Sequence, residues 1–332
     1  VGIRIIAVVF FIAAPLNGVH AAWEKHRIPE HEGYVLRMEF AKPDLGYALV
    51  ITEYSPYNLL VYRNGAWTLE GLPGMFLGNP WGISLLPSGY GWITGIHLGM
   101  TGALYTARTY SGGTWHRVPN PYENTIYEGS CVVSVADVED VWILYSEISG
   151  FLHYKEGRWE EIANVIPAEL GQPFSMDFVN ENDGWLSGEN GFAHYRNGRW
   201  TFISGPRTWA LQFTASDDGW AKATDGSAIY HYDGSSWRRY FAVTGHKING
   251  FSFYDRNNGW AVFYKYPEPF RLFKFESGTC REVKPPDERG VGLPCSISPT
   301  DAHFLGAGYS YSWHSAPQVV PTSLGKIKTL FK

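Results

Sequence analysis

The chain has 332 residues, a formal net charge of −5, no Lys/Arg run, and a heavy aromatic load of 14 Trp, 21 Tyr and 19 Phe beside 37 Gly. That balance excludes a nucleic-acid footprint, which needs a basic patch or stripe. The three cysteines form no CxxC and there is no HExxH, so the common zinc patterns are excluded and neither a metal nor an organic cofactor is expected.

In chain order, residues 5–16 (IIAVVFFIAAPL) follow Arg4 and lead to Val19 and Ala21, at −3 and −1 of a cut before Ala22. This is the layout of a secretory signal peptide. The apolar run is short for a bilayer span, which takes about 20 residues. Residues 1–21 are expected to be a cleaved leader, leaving a secreted, periplasmic or cell-surface protein. An uncleaved anchor is the competing reading.

The mature chain repeats one grammar. A first aromatic anchor follows a polar turn at Tyr47, Trp92, Trp142, Trp185, Trp220, Trp260 and Phe304, 35 to 50 residues apart. A second follows a Gly-containing turn at Trp67, Trp115, Trp159, Trp200 and Trp237, with Cys280 in that place in the sixth unit. The clearest copy is 182–204, NDGWLSGENGFAHYRNGRWTFIS, three short strands in which Asn197-Gly198 supplies a two-residue hairpin. With the alternating strand before each first anchor, such as Phe251–Tyr254, every unit has four strands. A four-stranded unit at a period near forty marks a β-propeller blade.

The seventh unit has three strands and then drifts into Pro317 and Pro321 without a Gly-x-Trp strand. The missing strand stands at the other end, where Ala22–Pro29 (AWEKHRIP) matches Thr114–Pro119 (TWHRVP). The fold class is therefore all-β: a seven-bladed propeller over residues 22–317, its last blade completed by the N-terminal strand. Residues 318–332 form a tail in which Leu324, Ile327 and Phe331 would share one face of a short helix.

The run of Asn/Asp-Asp-Gly-Trp, an aromatic strand and Gly-x-Trp resembles the BNR-type propellers. Among these it is most similar to bacterial secreted proteins resembling photosystem II assembly factors. The resemblance spans nearly the whole mature chain and implies blades, not chemistry. Asp233-Gly234-Ser235-Ser236-Trp237 lacks the residue that separates Asp from Gly in a true Asp-box.

Function is expected on the face formed by the loops that join strand two to three and one blade to the next. Those of blades four and five are short, whereas others carry aromatics with carboxylates: Tyr54, Tyr57, Tyr122, Glu123, Tyr127, Glu128, Tyr264 and Tyr266. Tyr-rich surfaces give contact area at low entropic cost, and aromatic faces with carboxylates suit sugars, cations or polypeptides. The bland alternative is packing tyrosines and solvated glutamates. The preferred reading is a monomeric binding or interaction module for a protein or glycan. The runner-up is a carbohydrate-active enzyme or a lectin-like sugar binder. His26–Pro29 resembles the Arg-Ile-Pro motif of sialidases, but His116–Pro119 stands at the equivalent repeat position, which makes it the end of an outer strand. His194 and His231, each beside a tyrosine at one repeat position, read as structural. Cys280 and Cys295 flank the link from unit six to seven, where a disulfide is the less favoured reading because a bridge needs Cα atoms within about 7 Å.

Overall fold

The computed structural model describes residues 22–28, 33–52, 58–70, 78–97, 104–109, 113–122, 131–145, 150–162, 166–286, 292–306 and 309–314. They form seven four-stranded antiparallel sheets arranged as the blades of a propeller. The inner strands are Gly33–Lys42, Gly78–Leu85, Cys131–Asp137, Pro173–Asn180, Thr208–Ala215, Lys247–Asp255 and Leu293–Ser296. The N-terminal strand Ala22–Arg27 is the outer strand of blade seven, in antiparallel register with Tyr309–His314. Trp23 stands opposite Trp313, with ring centroids 4.8 Å apart. It is half-buried rather than fully enclosed as Trp200 is. No helix among the described residues is long and apolar enough to cross a membrane.

Local chemistry sets the hairpins. Asn197 and Gly198 take φ of 47° and 85°, and the same paired positive φ recurs at Asn64-Gly65, Glu156-Gly157 and Ser277-Gly278. Two successive positive φ values define the tight hairpin whose twist matches the strands it joins. The glycine directly before Trp185 and before Trp220 has a different cause. A Cβ on Gly184 would lie 2.4 Å from the Phe178 ring, and one on Gly219 2.4 Å from Phe213. The inner strand's aromatic therefore lies flat on the backbone just ahead of the anchor.

Blades meet through stacked rings. In blades three, four and five the anchors Trp142, Trp185 and Trp220 have a histidine on one face, at 4.0, 3.9 and 4.1 Å. On the other face lies a phenylalanine of the next blade: Phe178 at 4.7 Å, Phe213 at 5.0 Å and Phe253 at 3.5 Å. Each histidine is held by an aspartate at the start of the anchor's strand, with Nε2–Oδ1 distances of 2.7–2.8 Å in His153–Asp140, His194–Asp183 and His231–Asp218. The histidines are structural, as their repeat position implies.

Blade seven corrects the anchor assignment by one residue. Phe40 of blade one stacks at 4.5 Å on His303, not on Phe304, and His303 pairs with Cys295 as Trp142 does with Ser134. Phe304 is buried among Trp23, Trp260 and Trp313 on the opposite side of the strand. Cys280 does stand where the other outer strands carry Trp, opposite Phe275. Cys280 and Cys295 are both free thiols, so the considered bridge is not formed.

Candidate functional site

The inner strands surround a channel on the propeller axis, and their polar residues build its wall. Glu39, Ser84, Ser134, Asp177, Gln212 and Ser252 each accept a hydrogen bond from a backbone N–H of the next blade. The donors are Leu85 (3.1 Å), Val135 (3.0 Å), Phe178 (2.9 Å), Phe213 (2.6 Å), Phe253 (2.8 Å) and Ser296 (2.9 Å). The Cys295 thiol meets the Phe40 N–H and closes the circle. These groups hold the seams, and most of them line the channel together with other side chains.

A β-bulge leaves one inner-strand residue unpaired at matching positions in five blades: Leu36, Trp81, Phe174, Trp209 and Asn249. Bulges re-aim a side chain and raise the local twist. All five lie toward the start of the inner strand, the end nearest the loop face. Trp81 and Trp209, which line the channel, are 39% and 54% exposed. Trp209 lies flat on Phe174 at 5.4 Å, and the Arg207 guanidinium covers that ring at 4.9 Å. Other tryptophans of the blades, such as Trp92, Trp185 and Trp220, are fully buried, so two exposed indoles at one mouth stand apart.

Below the mouth the channel encloses about 440 Å³, and its titratable lining is Arg37, Glu39, Asp177, Lys222 and Cys295. Burial, aided by nearby Asp177, pushes the Glu39 carboxyl up to about 8, against the opposing pull of the Leu85 N–H and of Arg37. Burial likewise pushes Asp177 up to about 7 despite its bonds from Phe213, Ser134 and Phe178. Burial depresses Arg37 and Lys222, and Arg37 depresses Lys222 further. Arg37 stands deep in the protein, yet it keeps accessible surface along the channel.

Of the residues singled out from sequence, Tyr264 stands near the end of strand two of blade six and Tyr266 lies in the turn to strand three, 38% and 93% exposed. Tyr122 follows the outer strand of blade two, half-buried against the core between blades two and three, and its N–H donates to Asn120 at 2.9 Å. The topology puts all three at loop-face ends of their strands. Tyr54, Tyr57, Glu123, Tyr127 and Glu128 lie outside the described residues. The sequence reading missed Trp81, Trp209, Arg37 and Lys222 altogether. No group of His, Cys, Asp and Glu suited to a metal ion occurs among the described residues.

No protein-family model matches the sequence, and no curated protein does. Solved structures do. YCF48 bound to D1 peptide is 15% identical with a TM-score of 0.63, over 92% of this chain and all of that one. The likeness is architectural. A streptogramin B lyase is 11% identical with a TM-score of 0.65, over 89% of this chain and 97% of that one. The extracellular domain of the two component system BT4673 from B. thetaiotaomicron is 10% identical with a TM-score of 0.59, over 89% of this chain and 40% of that one. At these identities the likeness establishes the β-propeller fold and its kinship of shape with the photosystem II assembly-factor propellers.

Proposed function

We propose that the chain is a secreted binding module that takes a polypeptide partner on the loop face, across the channel mouth. The observation that carries this reading is the pair of exposed indoles, Trp81 and Trp209, at equivalent bulges around one opening. Exposed tryptophans at a concave mouth are the residue type that dominates binding energy at protein interfaces. The proposed surface runs outward from them to Tyr264 and Tyr266, and to Tyr54, Tyr57, Tyr122, Glu123, Tyr127 and Glu128 on the neighbouring connections. That YCF48 is seen with a peptide supports a polypeptide as the partner class. Residues 1–21 act as the leader, residues 22–317 as the binding domain and 318–332 as a tail.

A displayed random-peptide library, selected on the purified protein, tests the reading. Enriched peptides should lose about tenfold or more in affinity for the Trp81→Ala/Trp209→Ala variant, the loss expected when hot-spot aromatics are truncated. Melting temperature should change little, because both rings are exposed. Equal binding to the variant, or no enrichment, overturns the proposal. N-terminal sequencing after export from a bacterial host should read from Ala22; a retained leader would refute secretion by cleavage.

A further inference from the structure

We propose that the channel below the mouth is a receptor site for an oxyanion, a carboxylate or phosphate group held between Arg37 of blade one and Lys222 of blade five. The inference goes beyond polypeptide docking and stands on different residues.

Both cations sit at one level of the axis. Arg37 directly follows the bulge at Leu36, and Lys222 is in register with Ala210, which directly follows the bulge at Trp209. Ala210 carries only a methyl, so Lys222, on the second strand, lines the channel past it. Several other cations of the blades are paired, as in Arg108–Glu139, Lys274–Glu276 and Arg271–Glu282. Among the described residues Arg37 and Lys222 have neither a hydrogen bond nor an ion pair, and they repel one another.

Neither channel carboxylate forms an ion pair with them, although Arg37 feels the field of Glu39. Glu39 and Asp177 turn into the seams, accepting the N–H groups of Leu85 and Phe213 at 3.1 and 2.6 Å. A guanidinium fork and an ammonium lining one confined space are the donor set that carboxylates and phosphates fit. The space of about 440 Å³ falls within the usual range for small-molecule sites and exceeds a bare anion. Its walls include Met38, Ile83, Met176, Leu211 and Phe251, which suit an apolar body behind the charged group. The ligand class is therefore a small amphipathic carboxylate or phosphate monoester.

Protonation sets the field that the ligand meets. The five titratable lining groups are Arg37, Glu39, Asp177, Lys222 and Cys295. Near pH 6 Glu39 and Asp177 are largely neutral, being pushed up to about 8 and about 7, and the Cys295 thiol, pushed up to about 12, is neutral throughout. The two cations then stand uncompensated. Above pH 8 both carboxylates ionise and the channel charge approaches zero, so anion affinity falls as pH rises.

Isothermal titration of the purified protein with 3-phenylpropionate and with phenyl phosphate, at constant ionic strength, tests this. At pH 6 at least one probe should bind saturably at one site, and the tighter of the two identifies the oxyanion. Arg37→Gln and Lys222→Met should each weaken it at least tenfold while the unliganded melting temperature stays level or rises, since each removes one of two repelling charges. At pH 9 the 3-phenylpropionate, ionised throughout this range, should bind at least tenfold more weakly than at pH 6. No saturable binding of either probe, unchanged affinity in both variants, or tighter binding at pH 9 overturns the proposal. Peptide enrichment without probe binding would sink the oxyanion site alone, and probe binding without peptide enrichment would sink the polypeptide reading alone.

Discussion

The Asp177 carboxylate accepts the backbone N–H of Phe213 at 2.6 Å, across the seam between blades four and five. A carboxylate in this place does what serine does at other seams, but it brings a proton equilibrium with it. Burial raises Asp177 to about 7, whereas the unfolded chain titrates it in the ordinary aspartate range near 4. The fold thus holds the neutral form preferentially. The stability Asp177 lends is complete below about pH 4 and is lost as pH rises through about 7; that of Glu39 is lost through about 8.

His194, depressed chiefly by burial, runs the other way and gains stability as pH rises through the usual histidine range. The clean test is therefore a difference between proteins. Asp177→Asn keeps an acceptor for Phe213 and removes the titration. Its stability relative to the parent should improve from pH 5 to pH 9 by roughly 1–3 kcal/mol in urea denaturation. A flat difference would mean that Asp177 titrates normally.

The glycine ahead of the anchor is a packing requirement. Gly219→Ala puts a Cβ 2.4 Å from the Phe213 ring and must displace a ring wedged between blades four and five. A loss of about 1–3 kcal/mol is expected, the range for an overpacked core. A change below about 0.5 kcal/mol in the urea midpoint analysis would show that the ring moves freely.

Ring closure rests on Trp23, whose indole contacts Trp313, Phe304 and Trp260 at 4.8, 5.3 and 6.2 Å. Trp23→Ala should cost about 2 kcal/mol, below the range for a fully buried aromatic because the ring is half-exposed. Deleting residues 22–28 should cost more, since it bares the strand Tyr309–His314 as a sheet edge. An unchanged denaturation midpoint would place the N-terminal strand outside the cooperative unit.

Thiol chemistry separates the three cysteines. Cys131 and Cys295 are buried and pushed up to about 12, while the exposed Cys280 is raised to about 11, again by desolvation. Under native conditions Ellman's reagent should titrate one thiol, slowly, and Cys280→Ser should abolish that signal. Three thiols should appear on denaturation without reductant. Fewer would reveal a bridge.

The blades were legible because their punctuation is local: Gly, an aromatic, then a Gly-containing hairpin turn, each with its own steric cause. The seam ring was also written in the chain and went unread. Glu39, Ser84, Ser134, Asp177, Gln212, Ser252 and Cys295 each precede their blade's anchor by eight residues. That spacing also singles out His303 over Phe304, because counting back from Phe304 reaches Ser296, the donor rather than the acceptor at its seam. The channel cations were not legible. Lys222 reaches the axis only because Ala210 in front of it is small, and Arg37 owes its level to a bulge, neither of which has a periodic signature.

The seam contacts have a direction, each acceptor on one blade and its donor on the next, and the junction of blade seven with blade one follows the same rule. A ring wired head to tail in this way has no privileged starting blade. Circular permutants that join the native ends by a linker and open the chain between two blades should therefore reassemble the same propeller. The native opening inside blade seven differs from these in one respect: the first strand to emerge must wait for the last three before it finds its neighbour.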